Sequence, residues 1–279
     1  MKQAALMAGA YLHHLCFESP NPERLSIFYG EILEMKPKPL GKDTWLCSGK
    51  KRQIFFKKGK KNKLAFAAFA CRDKEGLNLL KNRIQQERIK ETSLQSKLFK
   101  GETVSIIDQD GHKILFGLAK SKSIGSSKIN GPLQHLTFAT LNVERFVDFY
   151  VRKLGFCISD RVFHRSGELA TCFVRSNHEH HTIACFKSDK VGVDHHSYEA
   201  GEWNTIRDWC DHFASNNIEL MWGPGRHGPG NNLFVFIEDP DGNWIEISAE
   251  LEIVQDRPVK DWPQEEKTLN LWGKAILRS

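Results

Sequence analysis

The chain has 279 residues, enough for one large domain or two of about 120–140, with a core that needs no disulfide or metal staple. Hydrophobic residues make up 40% and charged residues 27%, which excludes bulk disorder, and no apolar run approaches the ~20 residues of a membrane span. Forty Lys+Arg against 34 Asp+Glu leave a net charge of +6, too mild to imply a nucleic-acid partner.

From the N-terminus, Met1 to Leu12 carries one lysine and a short apolar patch and runs directly into strand-like residues around His14, so it does not read as a signal peptide. An internal repeat then sets the architecture. Leu12-His13-His14-Leu15-Cys16-Phe17 reads like Leu133-Gln134-His135-Leu136-Thr137-Phe138, at an offset of 121. The same offset carries Asn21-Pro22-Glu23-Arg24 onto Asn142-Val143-Glu144-Arg145, Phe28-Tyr29 onto Phe149-Tyr150, and Leu33 onto Leu154. Asp108-Gln109-Asp110-Gly111 resembles Asp239-Pro240-Asp241-Gly242 at an offset of 131, so the second half carries about ten inserted residues.

Next come Lys50, Lys51, Arg52, Lys57, Lys58, Lys60, Lys61 and Lys63 around the strand-like Gln53-Ile54-Phe55-Phe56. No nucleic-acid motif accompanies them. They read as a solvated hairpin edge, where lysines discourage edge pairing. Leu77, Leu80 and Ile84 mark a helix, and the Ser/Lys/Gly stretch from Ala119 to Lys128 reads as a linker. In the second half Phe146, Phe149, Tyr150 and Leu154 recur as one face of a helix that Asn142 or a neighbour could cap. Ile206, Cys210 and Phe213 mark a second helix. Strands follow at Leu233 to Glu238 and Trp244 to Ser248, joined by an Asp-Pro-Asp-Gly turn. The unit is βαβββ-like, twice per half, and α+β overall. This divides the chain into residues 1–120, a linker at 121–131, a second domain at 132–250, and a tail at 251–279 expected to pack back on the domains.

The seven cysteines are widely spaced, odd in number and without a CxxC, which predicts buried thiols in a reducing cytoplasm.

The chemistry concentrates in the second half. Twelve histidines include His135, the group His178, His180, His181, His195 and His196, and then His227. Glu246 lies in a strand otherwise made of Trp244, Ile245 and Ile247, where an ionised carboxylate is costly unless it pairs or binds a metal. Strand alternation puts Thr137 on the face of His135, Ser197 and Glu199 on that of His195, and Trp244 and Ser248 on that of Glu246. Two imidazoles and one carboxylate from three strands can hold a cation on one side and leave its other positions open, the ligand set of non-haem Fe(II) oxygenases. The competing reading, polar groups satisfied by hydrogen bonds, suits one histidine better than it suits all three ligands together. The first half is an internal control. The repeat places His14 opposite His135, Ala65 opposite His195 and Leu115 opposite Glu246. Two of the three ligands are absent, so the first half reads as a metal-free structural copy.

With those residues in view, the chain resembles the two-domain type I extradiol ring-cleavage dioxygenases of the vicinal-oxygen-chelate superfamily, over about residues 8–250. Leu133-Gln134-His135-Leu136, His180-His181-Thr182-Ile183-Ala184, Asp194-His195-His196-Ser197, and Gly225-Arg226-His227 through Asp239-Pro240-Asp241-Gly242-Asn243-Trp244-Ile245-Glu246 carry the likeness. The resemblance implies two tandem vicinal-oxygen-chelate domains, each built from paired βαβββ units. It implies that His135, His195 and Glu246 bind Fe(II), or less often Mn(II). An aromatic vicinal diol and O2 would be the substrates of a cytoplasmic homo-oligomer, with no nucleic acid or membrane involved. His181 would be the acid/base group, and His227 would hydrogen-bond the substrate. Under this resemblance His178, His180 and His196 fall to solvent or interdomain packing. The family signature places a tyrosine nine residues after the His227 position. Here that residue is Phe236, which has no donor or acceptor. With Thr137 and Phe234, it joins the substrate-binding candidates, and the apolar pair suits a bulky or polycyclic diol. The alternatives are a glyoxalase-like isomerase or lyase of the same superfamily, and a non-catalytic small-molecule binding protein.

Overall fold

The computed structural model describes residues 3–120 and 127–277. Of the expected linker, residues 121–126 lie outside the described residues. After a short helix α1 (Ala4–Met7), four βαβββ units follow one another. The first is β1 (Tyr11–Ser19), α2 (Pro22–Ile32), β2 (Lys36–Gly41), β3 (Thr44–Gly49) and β4 (Arg52–Lys58). The second is β5 (Lys63–Ala70), α3 (Lys74–Gln86), β6 (Glu91–Thr92), β7 (Phe99–Ile107) and β8 (Lys113–Ala119). The third is β9 (Leu133–Thr140), α4 (Val143–Val147), β10 (Cys157–Phe163), β11 (Leu169–Arg175) and β12 (Ile183–Lys187). The fourth is β13 (Gly192–Gly201), α5 (Trp203–Ser215), β14 (Trp222–Arg226), β15 (Leu233–Glu238) and β16 (Trp244–Ala249). Then come β17 (Lys260–Pro263) and α6 (Glu266–Leu269).

The units pair into two sheets, ordered β2-β3-β4-β1-β5-β8-β7-β6 and β14-β15-β16-β13-β9-β12-β11-β10-β17. The tail enters the second sheet, where β17 runs parallel to β10. Alternation sorts each strand. Leu136, Phe138, Ile183, Cys185, Ile245 and Ile247 point into the core packed on the helices. His135, Thr137, Ala184 and Glu246 take the opposite face.

The repeated residues do repeated work. Asn21 and Asn142 cap α2 and α4, accepting from the amides of Arg24 at 3.1 Å and Arg145 at 2.9 Å. Asp108 and Asp239 each accept two backbone amides of their own turn at 2.8–2.9 Å. Gly111 and Gly242 close those turns at φ +90° and +84°, which glycine adopts without a Cβ penalty. The second carboxylate oxygen of each turn then reaches across the molecule. Tyr29 of the first half donates to Asp239 of the second at 3.2 Å, and Tyr150 of the second donates to Asp108 of the first at 2.9 Å. The apolar core is continuous through both halves.

Three details depart from the sequence reading. The helix after Asn142 is α-helical only to Val147, then widens into a π-helical turn over Asp148–Lys153 that still buries Phe149 and Tyr150. The basic segment is not a hairpin edge. A crossover seats β4 between β3 and β1, so its lysines lie at the strand's ends and in loops, and Arg52 is buried at 1% exposure. The Arg52 guanidinium donates to the Gly131 carbonyl at 3.0 Å and sits 5.2 Å over the Trp209 ring. The residue opposite His195 in the first half is Phe66, not Ala65. His14 pairs with Ala68 as His135 pairs with Ser197, and two residues along, Cys16 meets Phe66 as Thr137 meets His195. The parallel pair Ala68 and Leu115 matches Ser197 and Glu246, so Leu115 stands where expected.

All seven cysteines are free thiols, five of them buried. Among the described residues no helix is long and apolar enough to cross a membrane.

Candidate metal centre

Three adjacent strands bring the ligand candidates together. On β9 and β13, Thr137 pairs with His195 and His135 with Ser197. On β13 and β16, Ser197 pairs with Glu246. All therefore share one sheet face. His135 Nε2 lies 2.8 Å and His195 Nε2 3.4 Å from Glu246 Oε2. The ligand atoms of the three residues lie within 4.8 Å of one another, and all three residues are buried. Donors about 2.0–2.2 Å from one ion and at right angles to each other stand roughly 3 Å apart, so these atoms fit a single cation.

The ring edges away from the ligand atoms are also held. His195 Nδ1 meets Asp194 Oδ2 at 2.6 Å, and His135 Nδ1 meets Gln134 Oε1 at 3.3 Å. Glu246 Oε1 accepts from Asn232 Nδ2 at 3.3 Å, and that amide also donates to Ser248 at 2.9 Å. Such outer partners fix imidazole tautomers and ligand orientation. Burial opposes ionisation of Glu246. His135, through charge and a hydrogen bond, together with the nearby His195 and His227 rings, overrides it and holds the carboxyl well below the ordinary range. Burial lowers the pKa of His135, partly offset by Glu246. At His195 burial is outweighed by hydrogen bonds to the Asp194 and Glu246 carboxylates, so its pKa is raised. The centre is an anionic carboxylate between two imidazoles, a suitable nest for a dication.

A small cavity of about 40 Å3 opens over the triad. Its wall includes Thr137, His181, His227, Phe236, Trp222 and Asp194, and the tail contributes Leu269 and Ile276. Thr137 Oγ1 lies 3.0 Å from His195 Nε2. His181 is 4% exposed, with its ring centroid 4.2 Å from that of His135. Burial, then the neighbouring His135 and His180, push its pKa well below the usual value, so it is neutral near pH 7. His227 Nδ1 donates to the Leu269 carbonyl at 2.5 Å, which leaves Nε2 3.6 Å from Glu246 Oε1. Phe236 sets its ring edge-on to His195 at 5.2 Å and stacks on Trp222 at 5.3 Å. Phe234 does not form part of the cavity wall. It stacks behind His227 at 3.9 Å and supports that ring instead.

The paired histidines divide in two ways. His195 and His196 lie on β13 and alternate, so His196 points to the other half, with Nε2 3.1 Å from the Tyr29 hydroxyl. His180 and His181 precede β12 in an irregular turn, where alternation does not apply. The expectation of solvent or interdomain packing fails for His180, which is fully buried against His181 and Asp160. His178 is exposed. Sequence reasoning also missed Asn232, Trp222, and the tail residues Leu269 and Ile276. Asp194 was adjacent to a proposed ligand, which was the available signal. In the first half, His14 survives but is packed by Phe55, Phe66 and Phe99 and bonds Ser96 at 2.7 Å.

Residues 133–247 match the family model described as Glyoxalase/Bleomycin resistance protein/Dioxygenase superfamily. Metapyrocatechase 2 of Cupriavidus necator is 30% identical over 147 residues, 52% of this chain and 45% of that protein, so the match spans about half the relative's length. Among solved structures, the Mn(II)-bound glyoxalase from Novosphingobium aromaticivorans superposes with a TM-score of 0.83 at 19% identity, over 94% of this chain and 90% of that one. Homoprotocatechuate 2,3-dioxygenase from Arthrobacter globiformis superposes with a TM-score of 0.81 at 18% identity, over 96% and 88%. At such identities the likeness is one of fold, and it extends over both halves. The second half of this chain carries a domain of the Glyoxalase/Bleomycin resistance protein/Dioxygenase superfamily.

Proposed function

We propose that the protein is an Fe(II)-dependent extradiol dioxygenase that cleaves an aromatic vicinal diol with O2, with Mn(II) as the second candidate ion. The observation that carries this reading is the buried His135–His195–Glu246 face, with two further histidines on the wall of the same cavity. When bound there, the ion would supply the redox chemistry that couples a chelated diol to O2. The chain's own residues would do the rest. His227, its Nδ1 proton committed to Leu269, offers Nε2 to accept a hydroxyl proton from the diol. His181, neutral because buried, accepts and returns a proton from the wall of the same cavity. Thr137 and Phe236 border the diol, and Phe236 contributes only apolar contact.

Leu269, Ile276 and Trp222 line the same cavity and would border a bound diol. Free cysteines throughout suit a reducing compartment.

Anaerobic Fe(II) loading followed by O2-uptake measurements across catechol and larger aryl diols tests the reading. It expects oxygen consumption with a coloured ring-opened product. His181→Ala should keep its metal and lose about 10²–10⁴-fold in turnover. Metal-replete protein that consumes no O2 with any diol would sink the proposal and favour the glyoxalase-type alternative.

A further inference from the structure

Behind His181, away from the cavity, runs a line of buried polar groups that the metal centre does not use. His181 Nδ1 lies 2.9 Å from His180 Nδ1. His180 Nε2 lies 3.1 Å from Asp160 Oδ2 with a bent N–H···O alignment, and it has no well-aligned partner elsewhere. Trp262 Nε1 donates to the same oxygen at 2.9 Å. Arg257 Nη1 donates to Asp160 Oδ1 at 2.9 Å, and Arg257 is itself clamped by both oxygens of Glu252 at 2.6 Å. His180 and Asp160 have no exposed surface.

Protons on this line are not free to choose. Two ring nitrogens 2.9 Å apart can share only one hydrogen. Burial opposes ionisation of Asp160, but His180, Trp262 and Arg257 together hold its carboxyl below the ordinary range, so it is an anion. A bare nitrogen lone pair beside that anion would be repelled, so His180 Nε2 carries a proton. In a neutral imidazole protonated at Nε2 the other nitrogen is an acceptor, which makes His181 Nδ1 the donor of the shared hydrogen. The remaining nitrogen of His181, Nε2, is left bare.

We propose that Asp160 and His180 are positioning residues that hold His181 in the Nδ1–H tautomer and so present an unprotonated Nε2 to the cavity. The consequence for turnover rests on the dioxygenase reading; the tautomer does not.

The test is a two-bond ¹H–¹⁵N correlation spectrum of the full chain labelled with ¹⁵N-histidine, with Zn(II) as a diamagnetic probe in the site. The expected wild-type spectrum has His181 protonated at Nδ1 and His180 protonated at Nε2. In Asp160→Asn, Arg257 and the Lys260 amide, 2.9 and 3.4 Å from Oδ1, should keep the amide oxygen on their side. The NH2 group then faces His180, at the cost of the Trp262 hydrogen bond to that position, and both imidazoles should invert their tautomers. In the Fe(II) enzyme that inversion should lower kcat about 10²–10⁴-fold with KM and metal content little changed. A wild-type His181 protonated at Nε2, or an Asp160→Asn protein that loses kcat without inversion, overturns the assignment. If Asp160→Asn does not fold, the wild-type spectrum still decides. The expected tautomers in a protein that turns over no diol would uphold the positioning role and reject the dioxygenase reading.

Discussion

Replacing Asp194 with Asn should weaken metal binding without emptying the site. The contact from His195 Nδ1 to Asp194 Oδ2 is 2.6 Å, short and charge-assisted, on the ring edge opposite the ligand nitrogen. It fixes the tautomer and makes Nε2 a stronger donor to a cation. Asn keeps one acceptor but loses the charge. Loss of an outer partner of this kind costs roughly 10–100-fold in affinity, or about 1.4–2.7 kcal/mol. His135 provides the comparison within the same site, because its outer partner is the neutral Gln134 Oε1 at the longer distance of 3.3 Å. Gln134→Leu should therefore weaken binding less than Asp194→Asn does. Competition titrations against a chelator of known affinity would give both values, with Mn(II) in air and Fe(II) under anaerobic conditions. Circular dichroism would check the fold. Unchanged affinity in Asp194→Asn, or a larger loss in Gln134→Leu, would refute the reasoning. A loss as complete as that in His195→Ala would make Asp194 a ligand in its own right.

His135→Ala, His195→Ala and Glu246→Ala should each abolish metal retention while the fold persists, and His14→Ala should leave the metal in place, as read by elemental analysis of dialysed protein. Phe236→Tyr should raise kcat/KM for catechol more than for a bulky aryl diol, because the new hydroxyl helps only where it finds a polar partner and otherwise costs about 1–3 kcal/mol. Equal effects on both substrates in steady-state kinetics would remove the apolar-pocket idea. Burial pushes the Asp239 carboxyl from 3.8 up to about 6. A group that holds its proton more tightly when folded contributes fully below its unfolded pKa and loses that contribution as pH rises through the folded value. The difference in urea-unfolding free energy between wild type and Asp239→Asn should thus shrink by up to about 3 kcal/mol between roughly pH 4 and pH 7. A flat difference across that range would contradict the shift.

Much of this was legible because the chain repeats itself. Asn21, Tyr29 and Asp108 recur as Asn142, Tyr150 and Asp239 in the same structural roles, so two offsets, 121 for the caps and helices and 131 for the turns, located them all. The triad was legible because His135 to Thr137, His195 to Ser197 and Glu246 to Ser248 each alternate within themselves, even though the β9–β13 pairing shifts beside Val193 and beside Tyr198. Register was harder. Irregular pairing between Leu12 and His14 on β1, and between Cys16 and Phe17, hides the alignment of β5, and Ala65 was matched where Phe66 stands. A one-residue slip turns every side chain to the other face. His180 was missed for a different reason: it lies in a turn, where the period of two has no meaning. Asn232 and the tail residues Leu269 and Ile276 meet the site only through tertiary folding, and no local pattern announces them.

The reciprocal bonds from Tyr29 to Asp239 and from Tyr150 to Asp108 have a consequence for how the two copies could diverge. Each half finishes the other: the helix of one is anchored by the turn of its twin. The obligation falls on the core-facing side of every strand, where Phe17 and His196 also meet across the boundary. On the opposite side, the hydrogen bonds and ring contacts of His135, His195 and Glu246 stay within the second half. The first half could therefore exchange two ligands for Phe66 and Leu115 while remaining the wall against which the second half is built. Cutting the halves apart should leave a metal-binding fragment with its helix tyrosine unanchored, even though every ligand is still in its own sequence.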